Sequence, residues 1–193
     1  MLFRSDFLVE FDFDAYHLRL ISRLTGFELP KESMHVYLGK QYFGVDELTA
    51  EQYAESKTIT FKQLYGGVEK QYAGIDFFAS LNQYIERQWK LYREQQAITL
   101  PTGRILRYQP GMNKLKLFNY TVQNMETKEN TAKITHINEL LKDKQTKLVL
   151  ITYDSFLFDF SQEEGKNLLK EIKSILEDGG TPVKLKHGTN YAF

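Results

Sequence analysis

The sequence predicts an α+β protein, and three observations lead there. Strand-like segments rich in aromatic and branched residues stand near both ends, FLVEFDF at 7–13 and KLVLITYDSFLFDF at 147–160. Between them, 50–66 and 75–97 lack Pro and carry apolar or aromatic residues at steps of three and four. Gly and Pro fall mainly where these patterns break. The length of 193 residues fits one domain, or two small ones sharing a core.

Composition narrows the classes. A hydrophobic fraction of 42% with 26% charged residues is ordinary for a globular chain, and no apolar run approaches a membrane span. The lack of cysteine excludes disulfides and thiolate metal sites, and fits a cytoplasmic protein. His17, His35, His136 and His187 form no close pair of the kind zinc needs. Net charge is zero, but no Asp or Glu occurs from 95 to 125, where Arg104, Arg107, Lys114 and Lys116 are interleaved with Tyr108, Phe118 and Tyr120. Such a stretch suits a polyanion held through its phosphates, or equally a solvated hairpin without acids.

In order, 7–13 is a buried strand running into Asp12-Phe-Asp14, then a helix over 15–25 that Gly26 ends. Asp12 stands at a strand end, where a sheet fixes the backbone and a carboxylate can face a metal; Asp14 reads as a helix N-cap. Residues 27–48 read as a connection broken by Pro30, Gly39 and Gly44, with one short helix near 33–38. Thr49 and Gln52 make a capping box for the next helix, which Gly66-Gly67 stops. On it Lys57, Phe61 and Tyr65 follow at steps of four, a cation, a ring and a phenol along one face. They could engage different parts of a nucleoside triphosphate, although the spacing also suits an ordinary amphipathic helix.

A long helix over 75–97 precedes a hairpin turning at 101–103. Asn119 and Gln123, one helical turn apart, either present two amides to one groove or are plain surface residues. A further helix is expected over 131–142. The 147–160 segment reads as a hairpin with Asp154 at its tip, Ser161 and Glu164 as a capping box for a helix to about 178, and 182–186 as a last strand.

Taken in order, these segments resemble family A DNA polymerases, the bacterial DNA polymerase I family. FDFDAYHLR is similar to the first catalytic motif, with Asp12 as the metal-binding Asp and Leu18-Arg19 on the family's Leu-Arg. The helix with Lys57, Phe61 and Tyr65-Gly resembles the nucleotide-binding helix, with Tyr53 in place of an Arg. ITLPTGRIL resembles a T-x-x-GRR-x-L segment and places Arg104, and LFNYTVQ resembles I-N-A-P-M-Q. TYDSFLFD resembles the third catalytic motif, with Asp154 as its Asp, Tyr153 for His and Ser155 for Glu. HGTNYAF resembles the family's ending, with Tyr191 for Trp.

The resemblance implies a palm, an antiparallel sheet bearing the catalytic carboxylates, in 1–26 and 98–193, and helical fingers in 27–97. It implies templated transfer from a dNTP to a primer 3′ hydroxyl by two Mg2+ ions on Asp12, Asp154 and the Phe13 carbonyl. Lys57, Phe61, Tyr65, Tyr53 and His17 would bind the nucleotide, with His17 where the family carries a sugar-sensing Glu. Arg104, Asn119, Gln123 and Tyr153 would contact primer-template DNA. No thumb or exonuclease segment is recognisable, so the expectation is a split, viral or truncated polymerase whose thumb comes from a second polypeptide or an N-terminal region. In a viral setting it would work in the host cytoplasm. The alternative is a non-catalytic DNA-binding or assembly module derived from such an enzyme.

Overall fold

The computed structural model describes residues 7–190, which fall into two compact units, one of 17–128 and one joining the residues up to 16 with those from 129 onward. The ending expected around Tyr191 lies outside the described residues.

The sheet of the second of these units is built from β1 (Phe7–Phe13), β4 (Lys147–Thr152), β5 (Ser155–Phe160) and β6 (Val183–Gly188) in the order β4-β5-β1-β6. Every neighbouring pair is antiparallel. Opposed residues share a face. The register therefore puts Val9, Phe11 and Phe13 with Phe158 and Phe156 on one face, and Glu10 and Asp12 with Leu157 and Ser155 on the other. The aromatic face is closed by edge-on pairs, Phe11 to Phe158 at 5.7 Å and Phe13 to Phe156 at 5.9 Å between centroids. Helix α6 (Gly165–Leu176) buries Leu168, Ile172 and Leu176 from its apolar stripe.

The capping box expected at Ser161 does not form. A single 3-10 turn, Gln162–Glu164, precedes α6, and Ser161 makes no side-chain cap. The Glu164 carboxylate instead accepts from the backbone N–H groups of Gln145 and Thr146, both at 2.9 Å. Two donors at a chain bend outcompete one cap.

The other unit is helical apart from one ribbon. It holds α1 (Tyr16–Thr25) from His17 on, α2 (Met34–Phe43), α3 (Ala50–Gly66), α4 (Asp76–Gln95), the antiparallel pair β2 (Ala97–Thr99) and β3 (Ile105–Arg107), and the first part of α5 (Lys114–Leu140). The Thr49 box is present, with both reciprocal hydrogen bonds made, a contribution of about 1 kcal/mol. Tyr92 joins Ile98, Leu100, Leu106 and Leu117 in a buried cluster. Its hydroxyl donates to the Arg107 carbonyl and accepts from the Gln109 N–H, which fixes the ribbon to α4.

Two expectations change here. The helix near 33–38 runs on through Gly39 to Phe43, because Gly39 is a contact residue and not a breaker. A Cβ there would lie 2.6 Å from Leu48 Cδ1 and 3.0 Å from Ser56 Cβ. Gly44, with φ of 63°, ends α2 as expected. The segment of Asn119 and the helix expected over 131–142 are one helix of 27 residues. Nothing between 114 and 140 interrupts helical hydrogen bonding, since the span contains no Gly or Pro.

Candidate functional site

Asp12 and Asp154 come from adjacent strands. Asp12 pairs with Ser155 across β1 and β5, and the N–H of Phe13 donates to the Asp154 carbonyl at 3.0 Å. Asp154 lies in the two-residue turn joining β4 to β5, behind Tyr153, whose φ of 53° is left-handed and whose side chain is 85% exposed. The turn is held from α5: Asn130 Nδ2 donates to the Tyr153 carbonyl at 3.3 Å, and Asn130 Oδ1 accepts from the Tyr16 hydroxyl at 3.2 Å. Lys133, also on α5, lies over the Phe13 ring at 5.4 Å and donates to the Asp178 carbonyl at 2.7 Å. The backbones carrying the two carboxylates are thus held by buried and part-buried polar contacts.

Asp12 shares its sheet face with charges the sequence alone did not connect to it. Lys186 and Lys184 on β6 face Glu10 and Asp12, and form ion pairs with Glu10 (3.4 Å) and Asp14 (2.6 Å). Burial raises the Asp12 carboxyl above its ordinary value, Lys186 opposes that shift, and Glu10 adds to it. A half-buried carboxylate that is costly to ionise gains from a bound cation.

The helix α3 buries Ser56, Thr60, Gln63 and Leu64 and turns its other side outward. On that side Phe61 and Tyr65 stack nearly parallel, 5° between planes at 6.3 Å, and stay 45% and 36% exposed. The Lys57 ammonium lies 4.6 Å from the centre of the Tyr53 ring. His35 touches both Tyr53 and Phe61 edge-on or tilted, at 6.4 and 6.0 Å. His17 contacts Tyr65 and Glu126. Lys62, on the same helix, pairs with Glu69 at 2.7 Å.

The remaining predicted contacts gather around the ribbon and α5. Arg104 is exposed and lies 5.7 Å from the Tyr120 ring centre. Asn119 and Gln123 line a groove of about 370 Å³ with Gln109, Lys116 and Tyr120. Asn119 Oδ1 is buried and has no hydrogen-bond partner among the described residues.

Among the described residues no three His, Cys, Asp or Glu side chains converge as a ready metal cage. Mg2+ takes one or two carboxylates and completes its shell with water and substrate phosphates. Asp12, Asp154 and the Phe13 carbonyl, brought together by adjacent strands, are oxygen donors of the kind such an ion takes. Among the described residues no helix is long and apolar enough to cross a membrane.

A solved structure with a similar fold is the POL domain of Pol1 from M. smegmatis, in complex with DNA primer-template and dNTP. The TM-score is 0.78, over 95% of this chain and 39% of that one, at 17% identity. The two share a fold. This is the α+β class expected, an antiparallel four-stranded sheet with helices. The chain spans about two fifths of that neighbour. No protein-family model matches the sequence, and no curated protein does.

The residues missed from sequence are Glu10, Lys184, Lys186, Asn130, Lys133 and Glu126. The alternation in VKLKHG put both lysines on one strand face, but which strand lay opposite was not written locally.

Proposed function

We propose that the chain is the palm and fingers of a template-directed DNA polymerase of the family A type, with the palm in 1–26 and 98–193 and the fingers in 27–97. The observation that carries this reading is the placement of Asp12 and Asp154 on neighbouring strands, in a fold shared with a polymerase domain. Asp12, Asp154 and the Phe13 carbonyl would hold two Mg2+ ions. When bound, such ions lower the pKa of a primer 3′ hydroxyl and offset charge on the leaving pyrophosphate. Lys57 neutralises triphosphate charge and can return a proton to pyrophosphate. Phe61 and Tyr65 offer a stacked pair of rings to the base and sugar, with Tyr53 and His17 positioning their neighbours. Arg104 binds backbone phosphate. Asn119 and Gln123 address the acceptors and donors that base pairs show in the minor groove, and Tyr153 meets the primer end. The thumb that grips the duplex would come from further polypeptide, as a partner or an N-terminal region.

A second reading is a DNA-binding module without catalysis. The lysines beside Asp12 favour it, because they compensate carboxylate charge without a metal. Primer extension separates the two. The chain, alone and with candidate thumb polypeptides, is given primed DNA, Mg2+ and dNTPs, with Asp12→Ala as the control. Extension that disappears in the variant supports catalysis. DNA binding with no extension in any combination supports the module.

A further inference from the structure

His17 lies at the start of α1, and two other helices of its unit reach its ring. Tyr65 on α3 hydrogen-bonds its Nδ1, with the two rings edge-on at 5.9 Å and 74°. Glu126 on α5 places Oε2 3.0 Å from its Nε2. The side chains of His17 and Glu126 are 22% and 15% exposed. Positions 17, 65 and 126 are too far apart in sequence to form a motif, so only the folded helices bring the three together.

The chemistry gives this chain of bonds a direction. An ionised carboxylate only accepts, so the imidazole hydrogen opposite Glu126 belongs on Nε2. In a neutral ring that leaves the Nδ1 lone pair toward Tyr65, and the phenol must donate to it. Without the carboxylate the other tautomer competes. A hydrogen on Nδ1 would force the Tyr65 oxygen to accept and turn its own hydrogen elsewhere. Tyr65 is half of the exposed stacked pair with Phe61, so the direction of its hydroxyl sets what that surface offers a ligand.

We infer that Glu126 is a positioning residue that acts through His17 to fix the Tyr65 hydroxyl and ring for an incoming nucleotide. Carboxylates that orient a metal-binding imidazole in this way change affinity or activity about 10- to 100-fold when removed, and a smaller effect is expected where the imidazole orients a phenol. The nucleotide part of the inference rests on the reading of α3 given above; the hydrogen-bond direction does not.

The test uses Glu126→Leu, which removes the acceptor, and Glu126→Gln, which keeps one in the same place. Long-range proton–nitrogen NMR at about pH 8, above the ordinary imidazole range, reads the His17 tautomer without any need for activity. The wild type and Glu126→Gln are expected to carry the hydrogen on Nε2, and Glu126→Leu to show a mixture. Affinity for a fluorescent dATP analogue should fall about fivefold in Glu126→Leu and stay within about twofold in Glu126→Gln. In a Tyr65→Phe background Glu126→Leu should add nothing, which a merely structural role would not produce. An unchanged tautomer in Glu126→Leu, or additive losses in the cycle, overturns the inference. If Glu126→Leu does not fold, equal dATP losses in Glu126→Gln and Tyr65→Phe overturn it, and the wild-type tautomer with affinity kept in Glu126→Gln supports it. Failure of the wild type to bind the analogue refutes the nucleotide reading alone, and the tautomer then decides whether Glu126 positions Tyr65.

Discussion

The Lys57 ammonium lies 4.6 Å from the centre of the Tyr53 ring, one turn earlier on α3. The ring sits at the position where an Arg is expected from the polymerase resemblance, and it supplies no charge of its own. It holds the one that follows. Against the negative face of an aromatic ring, the lysine is oriented while keeping its charge available.

Removing that ring should therefore weaken triphosphate binding even though no cation is lost. Tyr53→Ala is expected to lower dNTP affinity about two- to fivefold, the scale of an exposed cation–ring contact. Tyr53→Arg should raise affinity at low salt, with the gain fading as ionic strength rises. Fluorescence titration of a labelled dNTP across a salt series checks both. An affinity unchanged in Tyr53→Ala would mean the contact does not hold Lys57 for a ligand.

Asp12 should trade stability for function. Burial raises its carboxyl above the ordinary value. The folded chain then binds that proton more tightly than the unfolded chain, so ionisation costs stability as pH rises from about 3.9 through the raised folded value. Asp12→Asn removes the cost and should melt higher at neutral pH, while primer extension falls on the order of a thousandfold or more. Mg2+ should raise the melting temperature of the wild type and not of the variant. Calorimetry at several pH values, with and without Mg2+, measures this; a variant that melts lower at neutral pH contradicts it.

Gly39→Ala should destabilise the helical unit by about 1–3 kcal/mol, the usual cost of overpacking. The new methyl group meets Leu48 Cδ1 at 2.6 Å and the Ser56 Cβ at 3.0 Å. The Leu48 tip can turn aside, but Ser56 is fixed by hydrogen bonds to the carbonyls of His35 and Tyr53. Urea denaturation gives the value directly. A loss below about 0.5 kcal/mol would show that α2 and α3 separate easily.

Much of the architecture was legible in one dimension because it rests on local chemistry. FLVEFDF forms a strand from its own composition, Thr49 and Gln52 cap α3 within one turn, and Gly44 and Gly26 stop helices through positive φ. The steps of four that align Lys57, Phe61 and Tyr65 follow from helix geometry alone. Local reading failed where a distant group competed. Gly39 looked like a breaker because its purpose is the approach of α3, and Ser161 looked like a cap because the donors that claim Glu164 come from Gln145 and Thr146.

The candidate site divides in the same way. Asp12, Lys57 and Asp154 could be named as candidates only because their segments, taken in order, resemble the polymerase motifs. Their surroundings could not. Lys184 and Lys186 reach Asp12 only because β6 pairs with β1, Asn130 reaches the Tyr153 carbonyl only because α5 runs beside the β4–β5 turn, and Glu126 meets His17 only across separate helices. Strand and helix formation are settled over a few residues by backbone sterics and capping. The charge, proton position and hydrogen bonds around each candidate residue depend on partners up to 174 positions away, such as Lys186 beside Asp12, and chain folding alone makes them neighbours.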